Sequence, residues 1–238
     1  MNDYSNINFR EKSNEWQVFL RIYTDSYKIL DGYNFEKSIM PTFMNKIGFY
    51  ACNLRGTSFE NSSDFYGAGF RECNMTGVNL KGAEIDKGFI KNCDCTDMNF
   101  EGGKFWREND LTGTNFTNAN FTKSFLCLVE FQNNILKNTN FQGCRFDTLY
   151  FGPNIDFTGT NFANATGKEI NIKSLDNVWN LSKAKWDGVQ VETIKGGTIG
   201  GLIIVWKGAS VGTIKYNDPF QRKLYSTKNV ILDQFFKF

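Results

Sequence analysis

The side chains of this chain that could do chemistry are few and poorly spaced for it. Histidine, the commonest general base near neutral pH and a frequent metal ligand, is absent from all 238 residues. Cys93-x-Cys95 resembles a metal or redox pair, and Cys52, Cys73 and Cys93 stand 21 and 20 residues apart. A zinc site made of cysteine alone needs four convergent thiolates, and no second pair is placed like the first. Carboxylate pairs occur at Glu84/Asp86, Asp94/Asp97 and Glu108/Asp110, all at positions expected to face water. The glycine-rich stretch 196–201 has neither a GxGxxG nor a GKT/GKS order, so it reads as a turn and not as a phosphate cradle. No catalytic residue, cofactor site or metal site emerges, and the chain is not expected to be an enzyme.

What would position any such group is a period of five. From Leu54 to Phe162 a bulky apolar residue returns every fifth position, with three single-residue slips. These centres are Leu54, Phe59, Phe65, Phe70, Met75, Leu80, Ile85, Ile90, Cys95, Phe100 and Phe105, then Leu111, Phe116, Phe121, Leu126, Phe131, Leu136, Phe141, Phe146, Phe151, Phe157 and Phe162. A helix face repeats at 3.6 residues and an alternating strand at 2.0, so neither accounts for the pattern. Fixed self-similarity marks a repeat architecture. Two places before the centres stand mostly small residues, among them Cys52, Thr57, Ser63, Ala68, Cys73, Val78, Ala83, Cys93, Thr114, Ala119 and Ser124. In extended chain, positions two apart point to the same side. Each unit therefore turns one small and one large side chain inward and three polar ones outward. Five of the six cysteines fall on inward positions, Cys127 being the exception. They are expected as packed thiols in a reducing, cytoplasmic setting.

Units such as Thr114-Asn-Phe-Thr-Asn, Ala119-Asn-Phe-Thr-Lys, Thr139-Asn-Phe-Gln-Gly and Val78-Asn-Leu-Lys-Gly follow the pattern A(D/N)Lxx. On these units the chain resembles the pentapeptide-repeat family. The resemblance covers about half of the chain. It implies an all-β fold, a right-handed quadrilateral parallel β-helix (a pentapeptide-repeat solenoid) with four units per coil. Every fourth centre should then stack, placing Phe59, Leu80, Phe100, Phe121, Phe141 and Phe162 in one ladder at roughly 4.8 Å intervals. The slips run from Phe59 to Phe65, from Phe105 to Leu111 and from Phe151 to Phe157. They lie nine units apart, two coils plus one unit, so each bulged corner should sit a quarter turn from the last.

The flanks break the period. Over 13–31, Trp16, Phe19, Leu20, Tyr23, Tyr27 and Leu30 recur at spacings of three and four, with Ser13 as N-cap and Gly32 as stop. This predicts a helix that caps the open edge of the first coil. Ile39, Met44 and Phe49 lie on the fivefold frame, so the first coil is expected to begin near Phe35. Beyond Phe162, Leu181, Trp186 and Val191 read as further units, with Ala184 and Val189 in the small position. Residues 197–216 read as a β-hairpin with strands Leu202–Trp206 and Val211–Tyr216. The expected organisation is an N-terminal helical cap (1–34), a pentapeptide-repeat β-helix (35–165) and a C-terminal extension with irregular repeats and the hairpin (166–238). That extension either caps the far end or makes a homodimer contact.

Charge excludes some partners. The formal net charge is +2, with 10 basic and 13 acidic residues over 49–165 and 11 and 6 over 166–238. Neither imbalance steers the chain strongly to nucleic acid or a membrane surface, although Lys207, Lys215, Arg222 and Lys223 interleave with aromatics in a weakly basic segment. No basic start followed by an apolar run marks a secretory signal, and Leu202–Trp206 is too short to cross a bilayer. What remains is surface, where an outward aromatic on a polar repeat face stands out. Tyr66 follows the centre Phe65, Trp106 and Arg107 follow Phe105, and Tyr150 precedes Phe151. These four are the candidate partner-binding residues of a non-catalytic protein–protein interaction scaffold whose protein partner is unidentified. Two other readings stand beside it. The quinolone-resistance branch of the resembled family implies a duplex-DNA mimic that engages bacterial DNA gyrase, which calls for a strongly anionic face. The other is a component of a phage or host-interaction assembly that docks through its flanks.

Overall fold

The computed structural model describes residues 2–12, 28–44, 46–63, 65–67, 69–172, 178–180, 184–196 and 210–215. Each five-residue unit there consists of a short extended stretch and a corner. The corner residue two places after the centre takes positive φ, as at Gly56, Gly77, Gly102, Asn118, Asn138 and Asn164. That conformation costs about 1–2 kcal/mol for an ordinary side chain and little for glycine or asparagine, which is why the last place of the unit is so often one of the two. The residue before each centre pairs in parallel with its counterpart one coil on: Asn53 with Asn74, Asn74 with Asp94, Asp94 with Asn115. Asn79, Asn99, Asn120 and Asn140 do the same on the next side. Four units thus close one coil of a four-sided parallel β-helix.

We number the faces from the one carrying Leu54. The first holds Leu54, Met75 and Cys95, and the second holds Phe59, Leu80, Phe100 and Phe121. On the fourth face β1 (Lys28–Asp31), β2 (Ile47–Tyr50), β4 (Gly69–Arg71), β6 (Phe89–Lys91), β8 (Asn109–Asp110) and β10 (Val129–Phe131) pair in order. On the third face β3 (Phe65–Tyr66), β5 (Glu84–Asp86), β7 (Lys104–Trp106) and β9 (Phe125–Leu126) do so. Both series meet β11 (Arg145–Phe151), a single strand of 7 residues that runs across the third and fourth faces. Its parallel neighbours β13 (Thr166–Ile172) and β15 (Gln190–Gly196) keep that length, while the short strands β12 (Ile155–Asp156) and β14 (Val178–Trp179) pair with each other.

The interior is built from stacked centres. In the second-face column Phe121 lies 4.9 Å from Phe141, and Phe141 lies 4.7 Å from Phe162 with the rings 5° from parallel. Trp186 extends the column, stacking on Phe162 at 4.3 Å, and Ala184, Val189 and Val191 are buried beside it. The further units expected after Phe162 are therefore present at Trp186 and Val191, while Leu181 lies outside the described residues. Each fully buried phenylalanine contributes roughly 1.5–3 kcal/mol, and Phe59, Phe100, Phe121 and Phe141 are all at 0 % exposure.

The small inward positions satisfy backbone carbonyls of the coil before. Thr57 Oγ1 donates to Phe35 O at 2.6 Å, Thr139 Oγ1 to Phe116 O at 2.8 Å, and Thr160 Oγ1 to Leu136 O at 2.7 Å. Cys52 belongs to a parallel column, its thiol 3.1 Å from Leu30 O. Cys73, Cys93 and Thr114 follow in register, and all six cysteines are free thiols. Burial pushes the Cys95 thiol well up and the Cys144 thiol to about 12.

Four expectations need correction. The helix over 13–31 cannot hold to its end, because Lys28–Asp31 is a strand paired in parallel with Ile47–Tyr50; the ladder's hydrogen bonds override the aromatic periodicity, and residues 13–27 lie outside the described residues. The coils do not begin near Phe35 either: Asp3 already pairs with Asn34 and Asn8 with Ile39. The C-terminal hairpin is not formed as expected, since Ser210–Lys215 (β16) pairs with β15 in parallel and not antiparallel register. A parallel return needs a connection of about a dozen residues or more, which 197–209 supplies. Finally, the inward residues near the first slip and the second coil are Ser62 and Met40, both at 0 % exposure, and not Ser63 and Ile39.

Candidate protein-binding face

The four faces differ in what they turn to solvent. On the first, Asn53 Nδ2 donates to Asn34 Oδ1 at 2.9 Å, and Asn34 Nδ2 to Asp3 Oδ1 at 2.9 Å. On the second, Asn120 Nδ2 donates to Asn99 Oδ1 at 3.3 Å, and Asn161 Nδ2 to Asn140 Oδ1 at 3.1 Å. These asparagine ladders consume their own polar groups. The third face has no such ladder. Its outward row reads Tyr66, Asp86, Trp106, Cys127, Asp147, Lys168, each one coil beyond the last.

Three of the four residues singled out from the sequence converge on that third face. Tyr66 and Trp106 are 41 % and 38 % exposed, well above the buried centres between which they stand. Arg107 joins them. Its Nε donates to Asp86 Oδ1 at 2.7 Å, its Nη2 also reaches Asp86, and its guanidinium lies over the Tyr66 ring at 5.6 Å. Its hydrogen bonds to the Asp86 carboxylate raise the Arg107 pKa above its ordinary value. Trp106 leans on Phe125 at 5.0 Å between ring centroids, and the ammonium of Lys104, paired with Glu84 at 2.7 Å, lies over the Trp106 ring at 5.8 Å. The result is a continuous aromatic and cationic strip, Tyr66–Arg107–Trp106–Phe125, across four coils.

Tyr150 is placed elsewhere. It lies on β11 around the corner, opposite Glu130, and lines a groove of about 490 Å³ on the fourth face with Glu108, Asp110 and Gln132. Burial raises the Asp110 carboxyl, but hydrogen bonds from Lys91 and Thr112 outweigh it and hold the group below its ordinary value.

Sequence reasoning missed the residue that holds Trp106 and Arg107 in place. Asn109, 3 % exposed, sits inside the second slip. Its Nδ2 donates to Trp106 O at 3.0 Å and to Arg107 O at 2.8 Å, and its Oδ1 accepts from Gly88 N at 2.9 Å. One amide thus replaces the pairing that the extra residue breaks. The available signal was an asparagine two places before Leu111, where the unit calls for a small residue.

A second feature also escaped the sequence. Below Phe125 the third face hollows into a groove of about 660 Å³ lined by Arg145, Asp147, Thr166, Lys168, Gln190 and Glu192. Gly167 stands where the column calls for a bulky centre, between Phe146 and Val191. A Cβ there would come within 2.1 Å of the Phe146 ring. Lys168 is paired with Asp147, which raises its pKa, and Glu192 adds to that effect. Among the described residues no group of three or more histidine, cysteine or carboxylate side chains is placed to hold a metal ion, and no helix is long and apolar enough to cross a membrane.

The repeat is also recognised by a family model for pentapeptide repeats, which matches residues 49–87 and 110–147 with 8 copies. No curated protein matches the chain in sequence. Among solved structures it is similar to a trypsin-treated form of QnrB1, a plasmid-mediated fluoroquinolone resistance protein, at 15 % identity over 82 % of this chain and 84 % of that one, with a TM-score of 0.43. It is also similar to HetL, a pentapeptide repeat protein involved in heterocyst differentiation regulation from the cyanobacterium Nostoc sp. strain PCC 7120, at 12 % identity over 79 % of this chain and 88 % of that one, with a TM-score of 0.36.

Proposed function

Starting from a chain that is a pentapeptide-repeat protein, we propose that it is a non-catalytic scaffold whose third face binds another protein. The observation that carries this reading is the convergence of Tyr66, Trp106 and Arg107 with Phe125 on a face that carries no asparagine ladder among the described residues. Tryptophan, tyrosine and arginine are the residues that most often dominate interface energetics. Here Arg107 is held by Asp86 and Trp106 by the Asn109 corner, so little order remains to be lost on binding. A capture experiment tests it: the whole chain and its Trp106→Ala form are used as bait, and retained proteins are compared. Wild type is expected to retain a partner that the variant loses by tenfold or more, about 1.4 kcal/mol. Equal retention by a folded variant rejects the reading.

The DNA-mimic reading is less favoured by the charges. A duplex mimic needs an unbroken anionic face, whereas Glu84, Asp86 and Asp147 are neutralised by Lys104, Arg107 and Lys168 one coil away. The whole chain is therefore expected neither to inhibit gyrase supercoiling nor to protect it from a quinolone.

A further inference from the structure

Resting on the reading of the third face as a protein-binding surface, we infer that its partner presents a carboxylate beside a large apolar side chain, the carboxylate docking on Arg145 and the apolar group on Trp106 and Phe125. Cations on this face are mostly spoken for: Lys104 by Glu84, Arg107 by Asp86, Lys168 by Asp147. Arg145 differs. It is exposed, it lines the 660 Å³ groove, and no described carboxylate pairs with it. In the ladder it stands directly opposite Phe125, whose ring centroid lies 5.0 Å from that of Trp106. An unpaired guanidinium at the wall of a groove is a two-pronged receptor for a carboxylate.

The charges nearby sharpen the choice. Asp147 and Glu192 both face Lys168, which stands between them. Together with Arg145 the four charges of the groove sum to zero, and Arg145 is the cation among them with no ion-pair partner among the described residues, so a carboxylate meets an unpaired guanidinium there and a basic segment meets repulsion. The apolar anchor has a place one and two coils away, at Phe125 and at Trp106, the latter 38 % exposed. Adjacent strands are about 4.8 Å apart, so carboxylate and anchor should sit within a few residues of each other on an extended segment.

The test uses the full chain on an array of 12-residue Gly/Ser-rich peptides. Each carries one Asp or Glu, one to four residues from a Leu, Phe or Trp, with Asn/Gln and Lys counterparts. Wild type is expected to hold the best carboxylate peptides about tenfold above their amide counterparts, the size of one charge-assisted hydrogen-bonded contact. Arg145→Gln should erase that preference and Arg145→Glu should turn it towards the Lys peptides, with thermal melts unchanged because Arg145 is exposed. Cys127, the partly exposed thiol between Trp106 and Asp147 on the same face, should be alkylated more slowly by iodoacetamide when the best peptide is bound. Equal retention of carboxylate and amide peptides, no retention at all, or a carboxylate preference that survives in Arg145→Glu overturns the inference. A wild-type preference for Lys peptides also overturns it and moves docking to the acidic groove around Glu108, Asp110 and Glu130. Retention that falls in Trp106→Ala but ignores the carboxylate defeats this inference alone. Retention indifferent to Trp106→Ala defeats the third-face reading with it.

Discussion

Asn109 shows how one buried amide can place an interface. Its three hydrogen bonds bridge the slip and fix the backbone under Trp106 and Arg107. Removing it leaves buried donors and acceptors without partners, at about 1–3 kcal/mol. Asn109→Ala is expected to lower the denaturant midpoint accordingly, whereas Gln142→Ala on the exposed second face should leave it unchanged. The cysteines make a different point. Five are buried and Cys127 is partly exposed, so a thiol reagent at pH 8 should titrate one group quickly and the rest only on unfolding. Cys144 is held at about 12 in the folded chain against 9.0 for an exposed thiol, because burial disfavours the thiolate. Between those values the unfolded chain gives up a proton that the folded chain keeps. Its contribution to stability is therefore complete below pH 9 and lost as the pH rises towards 12. Cys144→Ala should flatten that alkaline fall. The inward setting of five thiols was readable from the unit; Asn109 was not, because a polar residue at an inward position gains its meaning only from the carbonyls that a slip exposes.

At the scale of the elements, the coil is a stack of side chains joined by very short strands. The ladder of Phe121, Phe141, Phe162 and Trp186 could be written from spacing alone, since every fourth centre must coincide once four units close a turn. The long strands β11, β13 and β15 could not. They erase the corner between the third and fourth faces, and Gly167 accepts the Phe146 ring where a centre would otherwise stand. Gly167→Val should therefore destabilise by about 1–3 kcal/mol, as overpacking of a filled core does. Phe146→Leu in the same chain should recover part of that loss, giving a coupling readable in a double-mutant cycle. Additive losses would mean that ring and glycine do not share the space. The flanks were misread for a related reason. Lys28–Asp31 has an aromatic periodicity before it that suits a helix, yet a parallel neighbour at Ile47–Tyr50 offers it a full set of ladder bonds. Ser210–Lys215 likewise joins the last coil in parallel, because an exposed solenoid edge is a ready template for the next strand.

Across the whole molecule, two faces are closed on themselves by asparagine ladders, and one carries aromatics and charge in a sequence that never repeats. A solenoid gains stability from what repeats, so recognition is expected where the repeat is broken. The sequence pointed to Tyr66, Trp106 and Arg107 as exceptions but could not bring them together, since their 40-residue separation becomes a common face only once the coil length is known. It also pointed to Tyr150, which the continuous strand β11 carries on the fourth face opposite Glu130. The most direct test is the affinity of the captured partner for three forms of the whole chain: wild type, Trp106→Ala and Gln142→Ala. Binding weakened tenfold or more by Trp106→Ala and untouched by Gln142→Ala is the expected result. Binding weakened by the second-face change and indifferent to Trp106 would contradict the assignment of the third face.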